Sequence, residues 1–241
     1  MNDAGKTRAV TAGQTGPSSL PDASLFSYLF YDAAYLFAMS AMTLGFSLRT
    51  QGRNNIPRTG PAILFANHQS YLDPILVGLS TRRHLCFLAR KTLFCNRFFT
   101  WLIRTLNAVP IDQEGVGRQG IQAVLDQLRL GQAVVVFPEG ERTPDGVTHA
   151  LKPGLHLLIK RSGAPLVPVG VAGAFDAWPR FRRFPIPAPL FLPPGNRAVA
   201  VCVGKPLDGR RFKQMPRQQA LDELFAELQK VQQQAEKLRR T

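Results

Sequence analysis

The chain of 241 residues is long enough for one domain with a sizeable hydrophobic core and short terminal additions. Its 30 Lys and Arg residues outnumber its 16 Asp and Glu residues, and the net charge of +14 favours anionic partners: nucleic acid, anionic lipid or an acidic carrier protein. Nucleic acid is disfavoured, because the sequence has no zinc-finger spacing, no RNP-like aromatic strand and no basic heptad helix. Cys86, Cys95 and Cys202 lack the spacing of a metal site, and their odd number fits a reducing, cytoplasmic compartment.

The first 48 residues divide into a polar segment and an apolar one. Residues 1–24 are rich in Gly, Ser, Thr, Ala and Pro, which predicts disorder, and they do not resemble a signal peptide. Residues 25–48 are almost uncharged and, as a helix of about 36 Å, would be long enough to cross a bilayer. Asp32 and three nearby tyrosines instead favour an interfacial or re-entrant helix, with a spanning helix and a soluble core helix as alternatives. We therefore predict membrane association, with the cations that follow placing the domain at the cytoplasmic face of the cell membrane: Arg49, Arg53 and Arg58.

A histidine and an aspartate follow the first predicted strand. The apolar run Ala62–Ala66 is typical of a buried strand, and it leads directly into His68 and Asp73. A neutral histidine can take a proton from an alcohol near neutral pH, and a carboxylate beside it can hold its tautomer and stabilise the imidazolium. Five residues of regular helix would place the two side chains on different faces, so the pair can meet only through a loop. In the alternative interpretation, Asp73 only caps a helix that begins at Pro74.

Predicted strands and helices alternate through the rest of the chain, joined by short loops. This alternation predicts an α/β fold, with a mostly parallel sheet covered by helices, in one domain over residues 49–241. The predicted strands after the first are Leu85–Ala89, Ala108–Ile111, Val134–Phe137, Leu166–Val171 and Val199–Val203. The predicted helices are Pro74–Ser80, Phe98–Leu106, an amphipathic helix through Ile121 and Leu128 that ends at Gly131, Gly154–Lys160 and Gln218–Arg240.

Two further stretches carry polar or aromatic groups in unusual density. Pro138–Thr143 packs charged residues into a turn directly after a predicted strand, which is where α/β folds place ligand contacts. Phe175–Arg197 mixes aromatic residues, arginines and repeated prolines, which exclude regular helix or sheet. This second stretch is either a surface loop whose aromatics complete the core or a loop whose apolar groups enter a bilayer while its arginines meet lipid phosphates.

Four motifs in order resemble the glycerolipid acyltransferase family, which includes the lysophosphatidate acyltransferases. That family carries an NHxxxxD motif, an FPEGxR motif, a Lys-x-Gly and a VPV-type strand. This chain has Asn67–Asp73, Phe137–Arg142, Lys152–Gly154 and Val167–Val169, and the agreement covers roughly residues 50–205. One NHxxxxD alone is weak evidence, whereas four motifs in the same order are strong evidence.

The resemblance implies a membrane-associated O-acyltransferase of phospholipid biosynthesis. Such an enzyme moves a fatty acyl group from acyl-CoA or acyl carrier protein to the hydroxyl of a lysophosphatidate-like acceptor, with no metal, no other cofactor and no covalent enzyme intermediate. By this resemblance His68 is the general base and Asp73 orients it. The implied substrate-binding residues are Glu139 as a brace of the loop, Gly140 near backbone donors for the oxyanion, Arg142 for the acceptor's phosphate, and Lys152.

One motif departs from the family pattern. Gln113 stands where the family usually has an arginine that touches the acceptor's phosphate, and Asn107 stands where it has a glycine. Glutamine does not offer the charged, forked donor that suits a phosphate. Either another cation, such as Arg118 or Arg142, takes over, or the acceptor is another lysophospholipid or an amino-acid lipid.

Three interpretations outside this family are weaker. A hydrolase would need Ser70 as its nucleophile, but Ser70 is only two residues from His68 and no Gly-x-Ser-x-Gly elbow is present. A metal enzyme would need ligands clustered near His68 and Asp73, and the sequence offers none. A basic, non-catalytic membrane-binding protein is the remaining alternative, and turnover of an acyl thioester would exclude it.

Overall fold

The structure is a computed structural model that describes residues 25–90, 108–111, 118–191 and 197–240. Several predictions concern other parts of the chain and lie outside these described residues: the disordered segment 1–24, Cys95, the helix Phe98–Leu106, Asn107 and Gln113.

Helices and strands alternate along the described chain. The strands are β1 (Arg49–Gln51), β2 (Ala62–Ala66), β3 (Leu85–Arg90), β4 (Ala108–Ile111), β5 (Ala133–Val136), β6 (Leu166–Ala172) and β7 (Ala200–Val203). The α-helices are α1 (Leu25–Phe46), α2 (Asp73–Leu79), α3 (Arg118–Arg129), α4 (Gly154–Ser162), α5 (Ala174–Ala177), α6 (Gly209–Gln214) and α7 (Arg217–Arg239), and one 3-10 turn spans Arg53–Asn55.

The strands form one sheet of seven in the order β1-β7-β6-β2-β5-β3-β4. Every neighbouring pair is parallel except β6 and β7, which are antiparallel. The predicted α/β fold with a mostly parallel sheet is therefore confirmed. Strand β1 and the short helices α5 and α6 are elements that the sequence pattern did not predict.

The sheet separates two layers of apolar side chains, and β2 contributes to both. Ala62, Leu64 and Ala66 belong to the layer under α1 and α2. Ile63 and Phe65 belong to the layer under α3, α4, α6 and α7. All five residues of β2 are buried, as a strand covered on both faces requires, and this explains its unbroken apolar sequence.

Two cysteines that the sequence places in apolar runs are buried free thiols, Cys86 and Cys202. Burial raises the pKa of the Cys86 thiol to about 12 and that of the Cys202 thiol to about 11. Because the thiolate is the reactive form, neither side chain is a nucleophile near neutral pH. Both are small residues of the hydrophobic core.

Helix α1 packs one of its faces on the domain. The Tyr35 hydroxyl donates a hydrogen bond to the main-chain oxygen of Leu79 in α2 at 3.2 Å, and it accepts one from Arg53. Met39 and Met42 lie against the core layer under α1 and α2. The helix is therefore attached to the sheet by side chains along its second half.

The opposite face of α1 is apolar and exposed. Leu36, Phe37 and Leu44 are 59%, 77% and 61% exposed, respectively. Among the helices of the described ranges, none combines the length and the apolarity that crossing a lipid bilayer requires.

Helix α7 approaches β6 so closely that its backbone touches Gly170. A Cβ atom added to Gly170 would lie 2.4 Å from the main-chain nitrogen of Gln232 and 2.5 Å from the main-chain carbon of Val231. Backbone atoms of a helix cannot swing aside as a flexible side chain can, so this contact requires glycine.

We expect Gly170→Ala to lower the free energy of unfolding by about 1–3 kcal/mol, the usual cost of overpacking a core, and urea unfolding measures it. The matched control is Gly78→Ala in α2, where the added Cβ would lie an ordinary 3.6 Å from Phe87 Cζ. Alanine favours a helix over glycine by up to about 1 kcal/mol, so this control should be neutral or more stable. Equal unfolding midpoints for the two variants would contradict the close packing of α7 on β6.

Candidate active site

Strands β5 and β6 flank β2, and the three run in the same direction. Phe65 of β2 pairs with Val136 of β5, and Ala66 pairs with Val169 of β6. The segments that follow these strands therefore emerge at one edge of the sheet, the carboxyl edge at which open α/β sheets bind ligands. This arrangement brings together two motifs that are far apart in the sequence.

The fully buried side chain of Asn67 fixes the point at which the chain leaves β2. Its Nδ2 donates to the main-chain oxygen of Val171 at 2.9 Å, and its Oδ1 accepts from the main-chain nitrogen of Val171 at 2.8 Å. Asn67 thus binds the start of the loop to β6 through both ends of its amide.

His68 and Asp73 meet through the loop that joins β2 to α2. His68 Nδ1 lies 2.7 Å from Asp73 Oδ2, and the same oxygen accepts the main-chain N–H groups of Gln69 at 2.6 Å and Ser70 at 2.7 Å. Although Asp73 is the first residue of α2, no side-chain hydrogen bond caps that helix. The interpretation of Asp73 as a helix cap alone is therefore wrong.

The environment of Asp73 suits it to a partner that becomes positively charged. The side chain is completely buried, and burial raises the pKa of its carboxyl, while hydrogen bonds from His68, Ser70 and Gln69 oppose that rise. Its second oxygen, Oδ1, is buried and has no hydrogen-bond partner in the described part of the chain. A buried carboxylate gains most from a neighbouring positive charge, and His68 is the ionisable neighbour, at 2.7 Å.

The His68 ring is held on one edge and on one face. Asp73 holds Nδ1, and Phe137 stacks on the ring with a centroid distance of 4.1 Å and an interplanar angle of 20°. The His68 side chain is 16% exposed, and within the described residues Nε2 makes no hydrogen bond. Because Nδ1 carries the proton that Asp73 accepts, Nε2 is the basic nitrogen available to a substrate.

Glu139 connects the loops of the two motifs. Its Oε1 accepts the main-chain N–H of His68 at 2.8 Å, and its Oε2 accepts that of His149 at 2.9 Å. Burial raises the pKa of the Glu139 carboxyl, and the same two hydrogen bonds oppose the rise. Both oxygens are used within the protein, as the predicted bracing role requires.

Gly140 forms a tight turn under the side chain of Lys152. Its φ angle is +80°, and a Cβ added there would lie 2.5 Å from Lys152 Nζ. Its N–H donates to the main-chain oxygen of Phe137 at 3.0 Å, so among the backbone donors predicted near Gly140 this one is used within the turn. Lys152 instead brings an ammonium group directly against the turn.

The side chain of Arg142 lies against Tyr71, on the loop between His68 and Asp73. Its guanidinium carbon lies 3.8 Å from the centroid of the Tyr71 ring. Nε is buried without a partner, and among the described residues the guanidinium makes no hydrogen bond. The next residue, Thr143, donates its main-chain N–H to the main-chain oxygen of His68 at 2.8 Å. A forked cationic donor is thus placed against the loop that carries His68.

A family model described as Acyltransferase matches residues 47–172, the part of the chain that runs through β1 to β6 and holds both motifs. The chain belongs to the acyltransferase family. The expected family is therefore confirmed, and with it the enzyme class, because the His68–Asp73 pair lies within the matched residues.

Curated relatives of this acyltransferase share one name. The 1-acyl-sn-glycerol-3-phosphate acyltransferase of Bacillus subtilis (strain 168) is 25% identical over 192 residues, which cover 78% of this chain and 89% of that protein. The protein of the same name from Streptococcus pneumoniae is 33% identical over 113 residues, 46% of this chain and 41% of that protein. The chloroplastic counterpart from Arabidopsis thaliana is 26% identical over 181 residues, 74% of this chain and 48% of that protein.

A solved structure shares the fold of this acyltransferase. The crystal structure of the 1-acyl-sn-glycerophosphate (LPA) acyltransferase PlsC from Thermotoga maritima superposes with a TM-score of 0.71. The superposition covers 92% of this chain and 85% of that chain at 24% sequence identity.

The hydrolase interpretation fails on the surroundings of Ser70. Its hydroxyl is buried, donates to the main-chain oxygen of Trp178 at 2.6 Å and accepts the N–H of Leu72 at 3.1 Å, so it serves the structure of the loop. For the metal-enzyme interpretation, the described ranges contain no group of three or more His, Cys, Asp or Glu side chains placed to hold an ion.

Sequence reasoning missed two aromatic residues of the acyltransferase site. Tyr71 supports Arg142, and Trp178 packs against Tyr71 with ring centroids 5.2 Å apart. Tyr71 occupies one of the unspecified positions of the NHxxxxD motif, so only its size and exposure beside the motif could have indicated a role.

We expect Glu139→Gln to loosen the site, because one oxygen that accepts a main-chain N–H becomes an NH₂ group that cannot. Losing a buried hydrogen bond to a charged group costs about 1.5–3 kcal/mol, so thermal unfolding should move to lower temperature and turnover should fall. The matched control is Glu141→Gln in the same motif, since the Glu141 side chain is 69% exposed and its ion pair with Arg180 is long, at 3.5 Å. If the two variants unfolded at the same temperature, Glu139 would not brace the two loops.

Proposed function

We propose that this acyltransferase moves a fatty acyl group from acyl-CoA or acyl carrier protein to the hydroxyl of a lysophosphatidate-like acceptor in phospholipid biosynthesis. The observation that carries the proposal is the 2.7 Å pair of His68 and Asp73, with the Arg142 guanidinium against Tyr71 of the same loop. Within the described residues that guanidinium makes no hydrogen bond. The names of the curated relatives from bacteria and chloroplasts support the choice of acceptor. The acyl thioester is the donor substrate, and the proposal includes neither a metal nor any other cofactor.

In the proposed reaction the acceptor's hydroxyl oxygen attacks the thioester carbonyl as its proton moves to His68 Nε2. Asp73 holds the Nδ1 proton and stabilises the imidazolium that forms. The tetrahedral intermediate then breaks its carbon–sulfur bond, and the leaving thiolate takes the proton from His68. The products are the acylated acceptor and a free thiol, and the base returns to its starting form.

Two cations on the loop after β5 support an anionic acceptor. The guanidinium of Arg142 offers a planar fork that matches phosphate oxygens, and the Lys152 ammonium lies against Gly140 in the same turn. Glu139 takes no part in holding the phosphate, because both of its oxygens accept main-chain N–H groups.

The head group of the acceptor is the finer part of the proposal. Gln113 replaces the usual arginine of the family, so Arg142 carries more of the phosphate contact if lysophosphatidate is the acceptor. The alternative is an acceptor without a terminal phosphate monoester, such as another lysophospholipid or an amino-acid lipid. A panel of acceptors in a thiol-release assay separates these two cases.

We expect His68→Ala to lower turnover by about 100-fold or more, the usual scale for loss of a general base, while the unfolding midpoint changes little. The measurement is thiol release with acyl-CoA and with acyl carrier protein, each with lysophosphatidate, another lysophospholipid, an amino-acid lipid and no acceptor. Release that depends on both His68 and lysophosphatidate is the expected result. Acceptor-dependent release at the normal rate by the variant would show that His68 is not the base.

We also propose that the enzyme acts at the cytoplasmic face of the cell membrane, with membrane lipid as a partner. The exposed face of α1 continues into the segment after α5, because Leu190 donates its N–H to the main-chain oxygen of Leu44 at 3.1 Å. Together these exposed side chains form one surface, named here the apolar rim: Leu36, Phe37, Leu44, Leu190 and Phe191. An exposed apolar surface of this kind favours contact with a membrane or a partner.

Cations on the same segment favour a lipid partner for the apolar rim. Phe181 and Phe184 are 71% and 66% exposed, and Arg182 and Arg183 stand between them in the sequence. Aromatic side chains that enter the interface, flanked by arginines that meet lipid phosphates, suit an anionic bilayer. The net charge of +14 of the whole chain adds long-range attraction between the protein and an anionic bilayer.

We expect the double variant Phe37→Ser with Phe191→Ser to bind vesicles at least about tenfold more weakly, since burying one such side chain is worth roughly 1.5–3 kcal/mol. Flotation with vesicles of phosphatidylcholine, with and without phosphatidylglycerol, measures the loss. The control is the double variant Leu130→Ser with Leu157→Ser. Leu130 directly follows α3 and Leu157 lies on α4, and both leucines are exposed. Equal flotation of the two double variants would contradict membrane contact through the apolar rim.

A further inference from the structure

We infer that Tyr71 is a positioning residue that presents the Arg142 guanidinium to the anionic head group of the acceptor. The inference rests on the proposed function, and it adds a residue that sets specificity for the charge of the acceptor. Tyr71 and Arg142 come from different loops, the one after β2 and the one after β5, and they meet only because those strands are neighbours.

The ring of Tyr71 is the support that holds Arg142. The guanidinium carbon lies 3.8 Å from the ring centroid, a distance at which a planar guanidinium stacks on an aromatic face. Trp178 lies against the same tyrosine, with ring centroids 5.2 Å apart and planes at 43°. Tyr71 is 40% exposed, so its ring borders the solvent from which a substrate enters.

The charged residues next to Arg142 in the sequence have other partners. Glu141 forms its ion pair with Arg180 at 3.5 Å, and Arg180 donates to the main-chain oxygen of Arg142 at 3.1 Å. Glu139 is occupied by main-chain N–H groups. Within the described residues, no carboxylate and no carbonyl accepts a hydrogen bond from the Arg142 guanidinium.

This arrangement has a specific chemical consequence. A carboxylate partner would also hold an arginine in place, but it would compete with a phosphate for the same N–H groups. A ring contacts the face of the guanidinium and leaves its in-plane donors directed at a ligand. Tyr71 therefore positions the cation without neutralising it, which favours acceptors with a phosphate over acceptors without one.

The test compares Tyr71→Leu with Tyr71→Phe, which keeps the ring. We expect Tyr71→Leu to raise KM for lysophosphatidate about five- to twentyfold with kcat little changed, on the scale of a partly desolvated cation–π contact, and Tyr71→Phe to restore most of the affinity. KM for the acyl thioester and the low activity with an uncharged monoacylglycerol should not change. Leu130→Ala, an exposed apolar residue far from the site, is the control.

A double-mutant cycle with Arg142→Ala shows whether Tyr71 acts through the arginine. If it does, Tyr71→Leu should weaken binding in the wild-type background and have no further effect when Arg142 is alanine. Additive effects would overturn the inference, and so would equal damage by Tyr71→Phe and Tyr71→Leu, or a fall in kcat with KM unchanged.

Calorimetric binding of glycerol 3-phosphate to the same variants separates this inference from the proposed function. Weaker binding by Tyr71→Leu, dependent on Arg142, supports the inference whatever the turnover. Equal dissociation constants for wild type and Tyr71→Leu would overturn it. A different result is that the wild type binds glycerol 3-phosphate in this Tyr71- and Arg142-dependent way and yet does not acylate lysophosphatidate. That result would contradict the proposed acceptor and leave the inference about Tyr71 standing.

Discussion

The candidate site depends on one buried carboxylate that joins two loops. Glu139 accepts the main-chain N–H of His68 and that of His149, and Thr143 returns a main-chain hydrogen bond to the oxygen of His68. A carboxylate removed from water is costly unless charged hydrogen bonds replace its hydration, so the loops are stable only in the register that supplies both donors. That register sets the distance between His68 on one loop and Arg142 on the other.

Much of the fold could be predicted from the sequence, because the central strands are apolar runs bounded by turn residues. Ala62–Ala66 and Ala108–Ile111 were predicted with the bounds that the structure shows. Strand β1 could not be predicted in this way, because Arg49–Gln51 is polar and extends only where β7 provides an edge to pair with. Its conformation comes from tertiary contacts rather than from its own residues.

The residues of the candidate site were predictable from motif order, but their roles depend on contacts between distant segments. Sequence alone left Asp73 as either a helix cap or a partner of His68, and only the direction of its side chain decides between them. The sequence predicts oxyanion donors near Gly140, but its own N–H is used by the turn that glycine allows. Tyr71 gave no periodic signal, because its partner Arg142 lies on another loop.

The segment that carries part of the apolar rim also touches the loop of the base. Ser70 donates to the main-chain oxygen of Trp178, and the Tyr71 hydroxyl donates to that of Arg180 at 3.4 Å, so the chain after α5 is bonded to the loop between β2 and α2. In the proposed function, a lipid acceptor keeps its acyl chain near the bilayer while its head group reaches Arg142. The hydrogen bonds that join these two segments also fix the position of the apolar rim relative to His68. In the same proposal, this fixed distance lets the acceptor be acylated without leaving the bilayer interface.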